Sequence, residues 1–342
     1  MKIVSTDNRI VSVRVFFGLA ALFAFAGLLH AEQITADKER IIRTVRFLSE
    51  ENFPRVATHQ NKEKTIDYII KSITATGIEA SRGEFAVKQI LGDSNFSAPP
   101  NRSEERVAIE LQRNTFTNIH ALKKGRTDKR IIVGAHYDIY PHESPGADDN
   151  ASGVAVLIEL AHLLKGVAEL NCDVELVSYD MEEVGLWGSR VHARQLRLQN
   201  VDVVCMLCLD MLGYYSDAEN SQRYPISGMR QFYGTKGDFL AMVGRPADAK
   251  LMTDAQKAFQ EATTLKLQSF PAPNLLNPLF ARSDHAPFWW EDYPALFFTN
   301  TADYRTPHYH RRTDTWDTLD YDRMVQATIG LYHIILAIDA DQ

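Results

Sequence analysis

The feature that most constrains the fold is an alternation of strand-like and helix-like segments that begins at residue 130. Apolar runs at 130–135, 173–179 and 201–209 have the length and composition of buried strands, and helical spacing follows the first two at 151–164 and 188–198. Strands that alternate with helices form a mainly parallel sheet covered on both faces. The sequence therefore predicts an α/β architecture.

The rest of the chain fits the same single domain. Helical spacing predicts further helices at 35–49, 62–76, 247–264 and 321–338. Further strands are predicted at 84–90, 107–111, 114–122, 237–243 and 295–299. The length of 342 residues and the 45% hydrophobic content suit one large domain. We predict one α/β domain with a mixed, mainly parallel central sheet flanked by helices on both faces.

The first 31 residues have the pattern of a cleavable export signal. An apolar run at 15–29 follows the basic residues Lys2, Arg9 and Arg14, and the small residues Ala24, Ala26 and Ala31 offer cleavage points. The run is shorter than the roughly 20 residues of a spanning helix, which disfavours a retained anchor. We expect a signal peptide at 1–31, a mature domain at 32–342, a periplasmic or secreted location and no stable membrane association after cleavage.

Charge and cysteine content exclude two classes of function. The net charge of −7, without a basic stripe, argues against nucleic acid as a partner. The three cysteines, Cys172, Cys205 and Cys208, do not form a disulfide framework. Cys205 and Cys208 lie in a strand-like run, where residues three apart point to opposite faces, so we interpret them as core residues rather than a redox pair.

Residues that bind metals follow each predicted parallel strand. They are His136, Asp138, Asp148 and Asp149 after the first strand, Glu182 and Glu183 after the second, Asp210 after the third, and His308 and His310 after the last. The carboxyl ends of parallel strands converge on one crevice, so we expect these groups to meet. A competing interpretation of the polar residues before the helix at 151–164 is that they cap its start. The side chains of Asp149, Asn150 and Ser152 are typical of that position.

Such a cluster of carboxylates and imidazoles would repel itself unless a cation lay among them. Histidine with Asp and Glu, and without a usable thiolate, suits catalytic zinc that keeps an open position for water. Five ligands including one bridging carboxylate suffice for two metals about 3.5–4 Å apart. The sequence therefore predicts two Zn²⁺ ions per chain.

The chain resembles the co-catalytic zinc aminopeptidases of clan MH, whose fold also serves the glutaminyl cyclases. The resemblance runs from about residue 60 to the C-terminus and rests on motifs that occur in the family's order. These motifs are His136-x-Asp138, 145–153, 182–189, 209–211, 283–288 and 309–315.

The resemblance implies a role for each site residue. The implied zinc ligands are His136, Asp148, Glu183, Asp210 and His310, with Asp148 bridging the two metals. Glu182 is the implied general base, and His310 is preferred to His308 because it stands four residues before Asp314. Supporting roles fall to Asp138, Asp149 and Asp284. The family also implies a cis peptide bond between Asp148 and Asp149.

The expected function is that of an exported zinc aminopeptidase acting on peptides with a free N-terminus. One alternative on the same fold is a glutaminyl cyclase, which uses one zinc to cyclise N-terminal glutamine. A carboxypeptidase or dipeptidase relative is a further alternative. A non-catalytic binding module is disfavoured because such a protein is expected to have lost ligands, and none is missing here.

Overall fold

The computed structural model describes residues 34–56, 59–86, 115–140, 143–273 and 277–342. The predicted signal peptide at 1–31 and the strand predicted at 107–111 lie outside these residues. Thr35–Gln342 forms one compact unit. Among the helices described, none combines the length and the hydropathy that a transmembrane span requires.

A mixed eight-stranded sheet forms the centre of the described structure. Its strands are β1 (Ala80–Phe85), β2 (Phe116–Lys123), β3 (Arg130–His136), β4 (Asp173–Tyr179), β5 (Val203–Leu209), β6 (Phe239–Gly244), β7 (Lys266–Pro271) and β8 (Ala295–Thr299). The order across the sheet is β1-β2-β4-β3-β5-β8-β6-β7. The neighbouring strands β4, β3, β5 and β8 are parallel, while β2 is antiparallel to β1 and β4, and β6 is antiparallel to β8. The predicted mixed, mainly parallel sheet is confirmed.

Helices cover both faces of this sheet, as predicted. They are α1 (Lys38–Arg46), α2 (His59–Thr74), α3 (Gly153–Lys165), α4 (Trp187–Leu198), α5 (Met229–Tyr233), α6 (Ala249–Ala262), α7 (Asn277–Phe280), α8 (His285–Trp290) and α9 (Tyr321–Ala340). Helix α3 packs on β3, β4 and β5 with α1, α2 and α9 around it. Helices α4 and α8 pack against each other, and their apolar residues form a core cluster with Ile132, Val177 and Met206 of the sheet.

The predicted strands at 173–179 and 295–299 coincide with β4 and β8. Strand β7 was not predicted, because its sequence Lys-Leu-Gln-Ser-Phe-Pro has one fully buried side chain and lacks a clear apolar alternation. It is the outermost strand of the sheet and pairs with β6, where backbone hydrogen bonds suffice to form a strand.

The three cysteines are buried and free of disulfide bonds. Cys208 belongs to the core cluster under α4 and α8, and burial raises the pKa of the Cys205 and Cys208 thiols. The interpretation of the Cys-x-x-Cys pair as core residues is confirmed.

The topology brings the strand-end residues together. Strands β4, β3, β5 and β8 are adjacent and parallel, so their carboxyl ends lie at the same edge of the sheet. His136 is the last residue of β3, and Asp210 directly follows β5. This edge is where an open parallel sheet binds its ligands.

Candidate metal centre

His136 lies at the centre of the predicted cluster. Its ring is buried, and its Nε2 atom is 3.4 Å from Asp149 Oδ1 and 3.4 Å from Asp210 Oδ1. Glu182 Oε2 is 4.0 Å from the same nitrogen. The ends of three parallel strands thus contribute to one set of metal-binding atoms.

A second set is built around His310. Its Nε2 atom lies 3.2 Å from Asp149 Oδ2 and 3.1 Å from Glu183 Oε2. The two oxygens of Asp149 therefore face two different histidines. Asp149 connects a set formed with His136 and Asp210 to a set formed with His310 and Glu183, which is the arrangement that a bridging carboxylate requires.

The prediction of Asp148 as the bridging ligand is wrong. Its Oδ1 atom accepts a hydrogen bond from the Gly213 amide at 2.8 Å, and its Oδ2 atom accepts one from Asn300 Nδ2 at 2.6 Å. Both carboxylate oxygens thus point toward neighbouring loops and accept hydrogen bonds from them. Asp149, predicted to have a supporting role, is the aspartate whose two oxygens lie near His136 and His310.

The predicted cis peptide bond is also displaced by one residue, because it joins Asp149 to Asn150. The side chain of Asn150 holds the neighbouring backbone in place. Its Oδ1 atom accepts from the amides of Gly153 and Met211, and its Nδ2 atom donates to the Leu209 carbonyl. Asn150 therefore caps the start of α3, which confirms for this residue the competing helix-start interpretation.

Asp138 links the loops that follow β3 and β4. Its Oδ1 atom is 3.5 Å from His136 Nδ1, and its carboxylate accepts from the Glu182 and Glu183 amides at 3.1 and 3.2 Å. One buried carboxylate thus lies beside the imidazole and positions the backbone of two glutamates. This geometry fits the supporting role predicted for Asp138.

The protonation of the metal-free cluster reflects its crowding. Burial and the nearby Asp149 charge raise the pKa of Glu183 to about 8. Burial would lower the pKa of His310, but Asp149 and Glu183 raise it to about 10. The pKa of His136 is also raised. Burial lowers it, but Glu182 and Asp138 raise it by more. The cluster therefore retains protons to offset the repulsion among its carboxylates, which indicates that it suits a multivalent cation.

Several buried atoms of the cluster make no hydrogen bond to the described residues. They are both ring nitrogens of His136, Nε2 of His310, Oε1 of Glu183 and Oδ1 of Asp210. Buried polar atoms normally have a hydrogen-bonding partner, so this concentration needs an explanation. Imidazole nitrogens and carboxylate oxygens are zinc ligands, and these residues fit zinc.

Asp284 and His285 lie next to each other but in different environments. Asp284 is fully buried, and burial raises its pKa to about 7, opposed by the charge of His136. His285 donates from Nε2 to the Phe280 carbonyl and stacks on Phe297, and burial lowers its pKa to about 3. His285 is therefore a neutral core residue, whereas Asp284 is a buried carboxyl group whose charged form burial disfavours.

Arg55 is a site residue that the sequence interpretation missed. Its side chain is completely buried and donates to the carbonyls of Tyr137, Pro145 and Gly146 at 3.0, 2.7 and 2.9 Å. These carbonyls lie on the loop that carries Asp149. Burial lowers the pKa of Arg55 to about 10, opposed by Asp314 and Asp149, so the guanidinium remains charged at neutral pH.

A cavity of about 380 Å³ adjoins the cluster. Its polar wall includes Asp149, Glu182, Glu183, Asp210 and His310. Its apolar wall includes Met211, Phe239, Val243, Phe270, Phe280 and Phe297. An apolar strand residue has the same sequence pattern whether it packs in the core or lines a cavity, so the sequence did not identify this wall. The cavity can hold an apolar side chain next to the metal-binding atoms.

An α/β sheet that gathers imidazoles and carboxylates at its carboxyl edge, beside a cavity, has the features of a metal-dependent hydrolase. The chain belongs to peptidase family M28, which matches residues 118–334. The resemblance to the zinc aminopeptidases is thereby confirmed, and the protein is a metallopeptidase-type hydrolase.

Sequence relatives agree with this assignment. The uncharacterized protein YfbL of Escherichia coli (strain K12) is 33% identical over 313 residues, which cover 88% of each chain. Leucine aminopeptidase 1 of Ajellomyces capsulatus (strain G186AR) is 31% identical over 239 residues, 65% of this chain and 57% of that protein. This chain therefore spans a little over half the length of the fungal relative.

Solved structures show the same fold. A zinc aminopeptidase of Bacillus subtilis, BSAP, superimposes with a TM-score of 0.66 at 18% identity, covering 89% of this chain and 95% of that one. The glutaminyl cyclase of Porphyromonas gingivalis has a TM-score of 0.60 at 14% identity and covers 90% and 99%. Both the peptidase and the cyclase therefore share this architecture.

Proposed function

We propose that the protein is an exported zinc aminopeptidase that binds two Zn²⁺ ions and removes N-terminal residues from peptides. The observation that carries the proposal is the position of Asp149, whose two oxygens face His136 and His310 separately. The proposed ligands are His136, Asp149, Glu183, Asp210 and His310. A cyclase with one zinc has no need of a carboxylate shared between two sets.

Zinc bound there would supply a Lewis acid and lower the pKa of water from 15.7 toward about 7. Glu182 is the proposed general base. It lines the cavity beside the ligands, and its carboxylate is held near His136 while its amide is bound by Asp138. It would take a proton from the attacking water and return it to the leaving amine.

The substrate would be held between the two walls of the cavity. The free α-amine would lie beside the metal-binding atoms of the polar wall, and the apolar wall would accept the first side chain. We therefore propose an apolar N-terminal residue as the preferred substrate. Relatives named leucine aminopeptidase support this choice.

The test is hydrolysis of a panel of aminoacyl amides by the purified mature protein, together with cyclisation of a peptide with N-terminal glutamine. Glu182→Gln should lower kcat by at least about 100-fold, the low end of general-base effects, and retain the wild-type zinc content. Glu291→Gln, a buried glutamate outside the cluster, is the matched control.

The proposal fails if Glu182→Gln retains full activity, or if glutamine cyclisation exceeds amide hydrolysis. Export has its own test, because Lys2, Arg9 and Arg14 precede an apolar run. Fusion of residues 1–40 to a reporter that is active only outside the cytoplasm should give activity.

A further inference from the structure

A second histidine–carboxylate cluster lies on different elements from the proposed catalytic centre. His120 is on β2, Glu175 on β4 and His192 on α4. Because β2 pairs antiparallel with β4, placing His120 opposite Val177 and Glu175 opposite Leu122, the two polar residues are diagonal neighbours on one face of the sheet. Glu175 lies four residues before the end of β4, about 13 Å along the strand.

The three side chains direct one potential ligand atom each toward a common point. His120 Nδ1 is 2.9 Å from Glu175 Oε1, and His192 Nε2 is 3.5 Å from the same oxygen. All three atoms lie within 4.8 Å of one another. Ligand atoms that each lie about 2.0–2.2 Å from one tetrahedral zinc ion are separated from one another by distances similar to the 2.9 and 3.5 Å found here.

Each buried ligand is also held from its far side. The Tyr179 hydroxyl lies 3.0 Å from His192 Nδ1, and Arg130 donates to Glu175 Oε2 at 3.0 Å. Metal-binding histidines and carboxylates characteristically have such outer partners, which fix the ring and leave the coordinating atom free. Arg130 occupies only one carboxylate oxygen, so Oε1 remains directed at the two imidazoles.

Burial and access suit a bound ion. His192 and Glu175 are 4% and 6% exposed, and burial lowers the pKa of His192, which favours the neutral ring that a metal requires. His120 retains 26% of its side-chain exposure, so the cluster is reachable from solvent. Gly83 makes room for its ring, because a Cβ there would lie 2.6 Å from His120 Cδ2.

We propose that His120, Glu175 and His192 form a zinc site separate from the catalytic centre, with water at the fourth position. Two imidazoles and one carboxylate are an established donor set for zinc. The ion would connect β2 and β4 to α4. Helix α4 directly follows the loop that carries Glu182 and Glu183, so the ion would anchor the helix behind that loop.

Zinc titration of the metal-stripped mature protein against a chromophoric chelator tests the proposal. The wild type should bind one more equivalent than His120→Gln, which removes the most exposed ligand. His162→Gln on α3 is the matched control and should bind as much zinc as the wild type. Because the readout is a difference between variants, it does not depend on how many ions the catalytic centre holds.

The second measurement uses Asp149→Asn/His310→Gln, in which the catalytic centre is disabled. This variant should still bind one equivalent of zinc, and its Tm should rise with zinc at micromolar concentration. Adding Glu175→Gln should remove both effects, with circular dichroism confirming the fold. Equal zinc binding by wild type and His120→Gln, or zinc retained after Glu175→Gln, would overturn the proposal and leave a hydrogen-bonded network instead.

Discussion

Asp148 and Asp149 are adjacent in sequence, and both are buried, yet their environments differ. Each oxygen of Asp148 accepts one hydrogen bond, from Gly213 or from Asn300, while the oxygens of Asp149 face two imidazoles. The amides of both residues donate to Asp314, at 2.8 and 3.2 Å. A single distant carboxylate thus fixes the backbone that sends one side chain into the loops and the next into the cluster.

Substituting each aspartate in turn tests whether Asp149 binds zinc and Asp148 stabilises the loops. Asp149→Asn should lower zinc affinity and kcat/KM by at least about 100-fold, because it removes a charged ligand shared by both sets, whereas loss of an outer partner costs about 10–100-fold. Asp148→Asn should mainly lower stability, by about 1–3 kcal/mol, because its buried hydrogen bonds are mismatched. Zinc titration and urea unfolding measure the two effects. A greater loss of zinc from Asp148→Asn than from Asp149→Asn would reverse the assignment.

At the scale of elements, the loop after β3 depends on Arg55, which reaches it from the segment between α1 and α2. A planar guanidinium can donate to several carbonyls at once, and a lysine ammonium cannot match that geometry. Arg55→Lys should therefore lower zinc affinity by about 10-fold or more, in the range found for outer partners of metal ligands.

Arg245→Lys is the matched control for Arg55→Lys. Arg245 pairs with Asp248 just after the end of β6. Because β6 runs antiparallel to β8, the end of β6 lies beside the start of β8, away from the strand ends that carry the metal centre. Both variants should be compared at equal folded fraction. Unchanged zinc affinity in Arg55→Lys would show that the arginine only stabilises the fold.

The packing of α6 on α9 depends on a glycine. A Cβ at Gly330 would lie 2.3 Å from two ring atoms of Phe259, which is completely buried. Gly330→Ala should destabilise the protein, because overpacking costs about 1–3 kcal/mol and the gain in helix propensity is about 1 kcal/mol. Gly166→Ala meets only an ordinary contact at 3.5 Å and serves as the control. Thermal unfolding of both variants is the measurement. A Tm of Gly330→Ala equal to that of Gly166→Ala would show that the helix interface has room for the added methyl group.

At the scale of the whole molecule, metal binding should stabilise the folded chain. The proposed ligands come from residues 136 to 310, so only the folded chain assembles them. A site at free zinc 100 times its Kd contributes about 2.7 kcal/mol. Chelation should therefore lower the Tm by several degrees, and zinc should restore it. The shift should be smaller in Asp149→Asn, and an equal shift in that variant would place the stabilising ion elsewhere.

Much of the fold and part of the site follow from local sequence pattern. Strand and helix periodicities are properties of neighbouring residues, so β4, β8 and the α/β alternation were predicted closely. The meeting of the strand-end residues followed from the rule that parallel strands share a carboxyl edge, and the choice of His136, Glu183, Asp210 and His310 among them followed from the resemblance to the zinc aminopeptidases. Strand β7 and the apolar cavity wall were missed, because their patterns do not differ from those of surface segments or core.

The sequence by itself determined the fold class, the family and the set of residues from which a metal centre could be built. The tertiary structure decided which of two adjacent aspartates faces both histidines, and it revealed the contacts of Arg55 with the loop. The physical reason is that both depend on contacts from distant segments. Asp314, Asn300 and Gly213 set the direction of each aspartate, and no local periodicity encodes those contacts.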